Sequence, residues 1–255
     1  MSEMNLQTAL LPGHLRVSFF RKEHGVDNVG LQELFNIEPE NIHIAGPNKD
    51  RTEMSSYGPG RLVLSNHLSR FDCVWEVEAF GVGDGVVATL GDLDAAARSI
   101  LEPMLTYARG RAWTRVALGI VGFVPVSNLE EGYALIDDKL PELTLPVDSV
   151  SDFNYQINRY YKFSLDGVND LRINRLSRWS VASLQAVTFD INLASVVSNN
   201  PLNPVKELRL MRVQVELDLN TDAEYSGSLT GSQLDAIFDE MLSKGNGVLI
   251  HGHHQ

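Results

Sequence analysis

The sequence is poor in cysteine and has no long apolar run. Its 255 residues include one cysteine, Cys73, which cannot form an internal disulfide, so a reducing compartment is the simplest expectation. The longest nearly apolar run, Val116–Val126, is far shorter than the roughly 20 residues that a membrane-spanning helix needs. Met1–His14 begins acidic and lacks the apolar stretch of a signal peptide. We therefore expect a cytoplasmic protein with no membrane contact.

Basic residues are also scarce. The 21 lysines and arginines stand against 33 aspartates and glutamates, which gives a formal net charge of −12. A nucleic-acid-binding surface needs a dominant basic face, because it must neutralise phosphates. We therefore do not expect a nucleic acid partner. Aromatic residues do interleave with arginines between residues 155 and 179, as in stacking platforms, but such aromatics are more often cross-strand pairs or core.

The common catalytic and cofactor motifs are missing as well. The sequence has no GxxxxGK[ST] phosphate loop, no GxSxG nucleophile elbow, no HExxH and no zinc-ligand spacing. Gly81–Gly85 is followed by Val86–Thr89, which favours a strand and not a helix whose N-terminus could hold a phosphate, so a plain loop is predicted. No catalytic residue, metal site or cofactor is identified, and we lean towards a protein that is not an enzyme.

Two polar clusters have both a catalytic and a structural interpretation. Asp72, Glu76 and Glu78 share one face of a predicted strand, as carboxylates do in metal-dependent nucleases, but no lysine or histidine accompanies them. The histidine-rich residues 251–254 suit either a metal or a frayed terminus. In both clusters we favour the structural interpretation.

Alternation with period two predicts a hairpin in the first half of the chain. Arg61–His67 forms one arm and Phe71–Ala79 the other, and Cys73 falls on the apolar face of the second arm as a small buried residue. Residues 38–60 are rich in Pro, Gly, Asn and charge, which predicts a long surface connection. Asp92 caps a helix whose apolar residues recur at helical spacing.

Two stretches share one layout, a long strand followed by a helix. They are residues 114–140 and 208–244, and the second helix is predicted to end at Gly245. This layout predicts an α+β fold made of two similar units of mostly antiparallel sheet, with helices packed on one face. We expect the units at residues 1–145 and 146–255, either as separate halves or within one continuous domain.

Residues 151–189 form the stretch around which the chain is organised. Ile-Asn-Arg occurs twice, at 157–159 and 173–175, and alternation predicts antiparallel strands with an arginine-bearing face. The expected strands are 155–163, 171–176 and 180–189. Guanidinium forks and amides suit carboxylates and phosphates, so this face is the candidate binding surface. The candidate residues are Arg159, Arg175, Arg178, Asn158 and Asn174. The alternative is that the arginines pair with carboxylates of neighbouring elements.

Four segments of the sequence carry a resemblance. They are ThrArgValAlaLeuGly at 114–119, GluGlyTyr at 131–133, SerAspPheAsnTyrGlnIleAsnArg at 151–159 and IleAsnArgLeuSerArgTrpSerVal at 173–181. Through them the chain resembles, over residues 60–245, a sporadically distributed family of uncharacterised bacterial proteins of similar length and no assigned activity. The resemblance implies a bacterial cytosolic protein, often encoded in variable gene neighbourhoods, and supplies no catalytic residues.

These features favour a non-catalytic protein-interaction or assembly component. We expect a protein partner or self-association, with contacts through exposed sheet edges and the 155–180 surface. The alternative is an enzyme or sensor that binds a phosphorylated small molecule at an arginine-rich sheet surface.

Overall fold

The computed structural model describes residues 9–22, 29–47, 50–77, 88–143, 153–189 and 204–253. At 169–170, 184–189 and 204–209 it describes the backbone alone. The predicted loop at Gly81–Gly85 lies outside the described residues. Within the described ranges, no helix combines the length and the apolar character that crossing a membrane requires.

The described residues form one antiparallel sheet of nine strands. The strands are β1 (Leu11–Phe20), β2 (Asn41–Ala45), β3 (Asp50–Tyr57), β4 (Gly60–Asn66), β5 (Arg70–Val77), β6 (Arg115–Val126), β7 (Asn154–Leu165), β8 (Val168–Phe189) and β9 (Pro204–Thr221). Their order across the sheet is β2-β3-β4-β5-β1-β6-β9-β8-β7, and every neighbouring pair is antiparallel. The predicted α+β class and the hairpin of β4 and β5 are confirmed.

Four helices accompany this sheet in the described ranges. They are α1 (Leu31–Phe35), α2 (Leu93–Ala108), α3 (Leu129–Lys139) and α4 (Ser232–His251). Asp92 caps α2 by accepting from the Ala95 backbone N–H, as predicted. The cap of α3 is Asn128, whose side chain accepts from the Glu131 backbone N–H. Both carboxamide and carboxylate caps satisfy donors that the helix itself cannot pair.

The helices contact one side of the sheet, which we call the covered face. Phe19 of β1 meets Phe238 of α4 with ring centroids 5.4 Å apart. Phe71 of β5 meets Tyr107 of α2 at 4.9 Å. Such tilted ring pairs add about 0.5–1.5 kcal/mol to the free energy of area burial. The opposite side, which carries the alternate residues of each strand, is the open face.

The two expected halves share the sheet, because β6 of the first pairs with β9 of the second along its length. Val116, Leu118 and Ile120 of β6 are buried on the covered face and form the middle of the core. Each of these two central strands is followed by a helix, α3 after β6 and α4 after β9. The expected layout of strand and helix is therefore present within one continuous sheet.

Three sequence-based expectations about elements are wrong. Residues 38–60 are not a plain connection, because they contain β2 and β3. The strands expected at 171–176 and 180–189 are one strand, β8. Gly245 does not end α4, which continues to His251. A β-carbon at Gly245 would lie 2.5 Å from Ile120 Cδ1, so this glycine lets the helix approach β6 closely.

Candidate functional site

The five predicted binding residues lie on two different faces of the β7–β8 hairpin. Arg159 and Arg175 sit directly opposite each other in the register and point to the covered face, where Arg175 is buried. The remaining three candidates, Arg178, Asn158 and Asn174, lie on the open face. Successive residues of a strand point to opposite sides, so Ile-Asn-Arg separates its asparagine from its arginine. The expected convergence of all five on one surface does not occur.

On the open face the arginines have acidic partners. Arg178 contacts Glu216 of β9 at 2.8 Å and Gln156 of β7 at 3.0 and 3.1 Å. Arg172 forms an ion pair with Asp222. Asn174 donates to the Asn220 side chain at 3.3 Å. Here the alternative interpretation holds, in which arginines pair with neighbouring carboxylates, and such exposed pairs contribute about 0–1 kcal/mol each.

A shallow depression of about 310 Å³ lies on the open face next to Gly119. Gly119 has no side chain, and Arg16 of β1 and Asp218 of β9 border the gap, with their charged groups 3.4 Å apart. The lining charges thus include both signs in one ion pair. This depression offers no net charge and no enclosed apolar wall that would select a ligand.

The covered face has a different balance of charge. Arg159 Nη2 lies 3.0 Å from Glu142 Oε1, just beyond the C-terminal end of α3. Arg175 is 8% exposed and has no ion-pair or hydrogen-bond partner among the described residues. Burial and the neighbouring charge of Arg159 both lower the pKa of Arg175, and a guanidinium nonetheless keeps its proton. Of these two guanidinium groups, only that of Arg159 contacts a carboxylate of the described residues.

The same carboxylate also binds a histidine near the end of the described chain. His253 Nδ1 lies 3.0 Å from Glu142 Oε1, and its Nε2 lies 2.7 Å from Ser177 Oγ. Trp179 Nε1 donates to the same Nε2 at 3.4 Å. Because an ionised carboxylate only accepts, Nδ1 is the donor to Glu142, and Nε2 accepts from Ser177 and Trp179. The expectation of a frayed terminus at 251–254 is wrong for His253, which is buried; residue 254 lies outside the described residues.

Backbone contacts between α3 and α4 hold His253 in this position. Its backbone N–H donates to the Lys139 carbonyl at 3.0 Å, and Lys139 Nζ donates to the Ile250 carbonyl at 2.5 Å. Gly252 has φ of 66°, and a side chain there would collide with the Lys139 carbonyl. Glycine is therefore required where the chain turns from α4 towards β8.

Ser177, His253 and Glu142 have the connectivity of a serine-hydrolase triad, in which serine, imidazole and carboxylate are linked by two hydrogen bonds. Ser177, however, is 1% exposed and lies in the middle of β8, between β7 and β9. A nucleophile must reach its substrate, and this hydroxyl is buried against His253 Nε2. The trio instead anchors the end of α4 to the sheet.

Burial controls the protonation of this anchor. Desolvation lowers the pKa of His253, and the charges of Arg159 and Arg175 lower it further, while the hydrogen bond to Glu142 acts in the opposite direction. The imidazole is therefore neutral near pH 7, which matches the donor and acceptor roles assigned to its two nitrogens. No local sequence pattern reveals this contact, because its partners come from α3 and β8.

A second feature is the length of β8 and β9. The last pair between β7 and β8 is Asn154↔Ser180, and the last between β6 and β9 is Val126↔Met211. Beyond these rows, Leu184–Phe189 pairs with Pro204–Leu210 as a two-stranded extension, which we call the ribbon. Neither outer edge of the ribbon pairs with another strand of the described ranges. At about 3.3 Å per residue, the ribbon reaches about 20 Å beyond the sheet.

Comparison with known proteins gives no assignment. No protein-family model and no curated protein matches the chain. Among the described residues, no group of three or more histidine, cysteine, aspartate or glutamate side chains is placed to hold a metal ion. The resemblance to uncharacterised bacterial proteins stays a prediction.

Proposed function

We propose that the protein is a non-catalytic interaction and assembly component that binds a second copy of itself through the ribbon. The observation that supports this is the extension of Leu184–Phe189 and Pro204–Leu210 beyond both flanking strands. Two-stranded hairpins without a third strand or a packed face are marginally stable in water. A partner that adds a strand to the ribbon supplies the missing hydrogen bonds.

A second copy suits this edge for reasons of symmetry and charge. An antiparallel pairing of one ribbon edge with its own copy is generated by a two-fold axis, the commonest symmetry of protein dimers. Residues 183–189 contain no charged residue, and 204–210 contain Lys206, Glu207 and Arg209. The ribbon sequence thus carries a small positive charge within a chain of net charge −12, so repulsion between copies is weaker there than for the chain as a whole.

The test compares the full chain with a variant that lacks the ribbon. In the variant, residues 185–209 are replaced by Asn-Gly, a sequence that favours a two-residue hairpin turn between the paired Leu184 and Leu210. Light scattering after size-exclusion chromatography measures the molar mass of both over a wide range of concentration. We expect a dimer for the full chain at high concentration and a monomer for the variant at all concentrations.

A control keeps the ribbon and alters the open face. Arg178→Gln removes an exposed cation from the sheet without touching the ribbon, and it should dimerise as the unaltered chain does. A full chain that stays monomeric throughout, or a shortened variant that still dimerises, would overturn the proposal.

The proposal includes two expectations from the sequence. The protein is taken as a cytoplasmic component of a bacterial system, which its resemblance implies. We also infer that β6 with α3 and β9 with α4 are similar units joined edge to edge, because each is a long strand followed by a helix. If the two units are similar, they should superpose with matching strand direction and helix placement.

A further inference from the structure

We propose that Arg159 and Arg175 form a binding site for the phosphate group of a small molecule on the covered face of the β7–β8 hairpin. The two residues are direct cross-strand neighbours. Side chains in such positions leave β-carbons about 4.5–5.5 Å apart, and like charges placed there repel. This arrangement lowers stability unless an anion lies between the two guanidinium groups.

The described residues do not supply that anion in full. Glu142 Oε1 is the one carboxylate oxygen paired with Arg159, and it also accepts from His253 Nδ1. No carboxylate of the described residues lies within ion-pair distance of Arg175, although the sequence contains 33 acidic residues. Among the described residues, Arg159 and Arg175 thus have one carboxylate between them, and the pair carries a surplus positive charge in a strongly acidic protein.

A neighbouring polar group is also unsatisfied. Tyr161, two residues after Arg159 on the same face, has a buried hydroxyl without a hydrogen-bond partner in the described part of the chain. Lys244 of α4 places its ammonium 5.8 Å from the Tyr161 ring centre. A buried hydroxyl without a partner costs about 1–3 kcal/mol, which a ligand oxygen accepting from it would remove.

The chemistry of these groups selects a tetrahedral oxyanion. A guanidinium presents parallel N–H donors that match two oxygens of a phosphate, and two guanidinium groups balance its double charge. The phenol of Tyr161 supplies one further donor, and Lys244, which also pairs with Glu240 at 3.9 Å, places a positive charge nearby. A phosphate ester on a small molecule places three such oxygens in one compact group.

The test uses the full chain with inorganic phosphate and pyrophosphate as probes. Thermal unfolding is followed at constant ionic strength, adjusted with chloride, while the probe concentration rises. A site that binds the probe raises the melting temperature by mass action. Phosphate also stabilises proteins in general through exclusion from their surfaces, so variants must separate the two effects.

Arg175→Gln removes the fork, and Arg178→Gln is the matched control, three residues away on the same strand and on the opposite face. We expect Arg178→Gln to respond to both probes as the unaltered chain does. We expect Arg175→Gln to bind at least about tenfold more weakly, which corresponds to about 1.4 kcal/mol. Arg175→Lys keeps the positive charge but lacks the guanidinium fork, and it should bind with intermediate affinity. It replaces Arg175→Gln in the test if the glutamine variant does not fold.

The melting temperature without probe separates a binding role from a structural one. Since Arg175 has no acidic partner in the described residues, its replacement by glutamine should leave the melting temperature unchanged or higher. A lower melting temperature with an unchanged response to the probes would overturn the proposal. So would an equal response of all variants, which is the general salt effect alone. Dimerisation through the ribbon is independent of either result.

Discussion

Two parts of β8 differ in what surrounds them. Ile173–Ser180 pairs with β7 on one side and β9 on the other, and its covered-face residues Arg175, Ser177 and Trp179 are buried. Leu184–Phe189 pairs with β9 alone. One strand thus contributes to the core in its middle and projects beyond the sheet in its last six residues. We therefore expect the core to form without the ribbon, and we look for the function of the ribbon outside the core.

The largest expected effect lies in the flanked part. Trp179 is completely buried, and Trp179→Ala should lower the free energy of unfolding by about 3–5 kcal/mol, because it leaves a cavity next to His253. The matched control is Tyr160→Ala on β7, whose ring is 66% exposed on the open face. The control should lose at most about 1 kcal/mol, the value of its contact with Arg172. Equal losses in denaturant unfolding would contradict the assignment of the two faces.

The anchor of α4 should give the next largest effect. His253→Ala removes the hydrogen-bond partner of Ser177 and Trp179, and it should cost about 1–3 kcal/mol, the value of leaving buried polar groups unpaired. His251→Ala, at an exposed position two residues earlier, should change the free energy of unfolding by at most about 0.5 kcal/mol. Were both variants equally stable, the chain after α4 would not be anchored as described.

Stability should fall in mild acid because of the same histidine. Burial holds the pKa of His253 below 6.5 in the folded protein, and unfolding returns it to about 6.5. Below that pH the unfolded chain binds more protons, so the free energy of unfolding decreases by at most about 1.4 kcal/mol per pH unit until the folded pKa is passed. The stability contributed by the neutral His253 is fully present above pH 6.5.

Urea titrations between neutral and mildly acidic pH measure this slope. His253→Gln should flatten it, and the remaining slope should fall further in His14→Gln, because burial also lowers the pKa of His14. An identical slope in the unaltered chain and in His253→Gln would show that His253 is accessible to protons in the folded state.

The open face of the flanked part should contribute little. The side chains of Arg178 and Glu216 are 44% and 42% exposed. Arg178→Gln removes their contact and should lower the free energy of unfolding by less than about 1 kcal/mol. Added salt should reduce the difference further, because exposed charges are screened. A loss comparable with that of Trp179→Ala would mean that this face is covered.

The smallest effect on the monomer is expected for the ribbon itself. Replacing residues 185–209 by Asn-Gly should change the free energy of unfolding by at most about 0.5 kcal/mol at concentrations where the full chain is monomeric. Chemical unfolding at low concentration measures it. A large loss would place the ribbon with the core and remove the contrast between the two parts of β8.

Local patterns were sufficient for most of the sheet and insufficient for the site. Alternation places Cys73 correctly, because a half-buried strand must alternate, and the long strand expected after residue 208 is part of β9. It missed β2 because that strand lies at the sheet edge, and its residues Ile42 and Ile44 are exposed among turn residues. Edge strands carry a weak apolar pattern and many polar residues.

The covered-face site depends on contacts that no local pattern records. His253 meets residues that are 76 and 111 positions away in the sequence, and the packing of α4 against the sheet and against α3 brings them together. The faces of Arg159 and Arg178 were implicit in the alternation, since their positions differ in parity once β7 and β8 are paired. The alternation did not reveal the acidic partners that β9 supplies to the arginines of the open face.

Hydrogen exchange tests the ribbon-mediated dimer most directly. The backbone amides of Leu184–Phe189 and of residues 205–210 are compared with those of Ile173–Ser180 at low and high protein concentration. We predict that the ribbon amides become protected as concentration rises, while those of the flanked segment are protected throughout. Ribbon amides whose exchange does not depend on concentration would contradict the account.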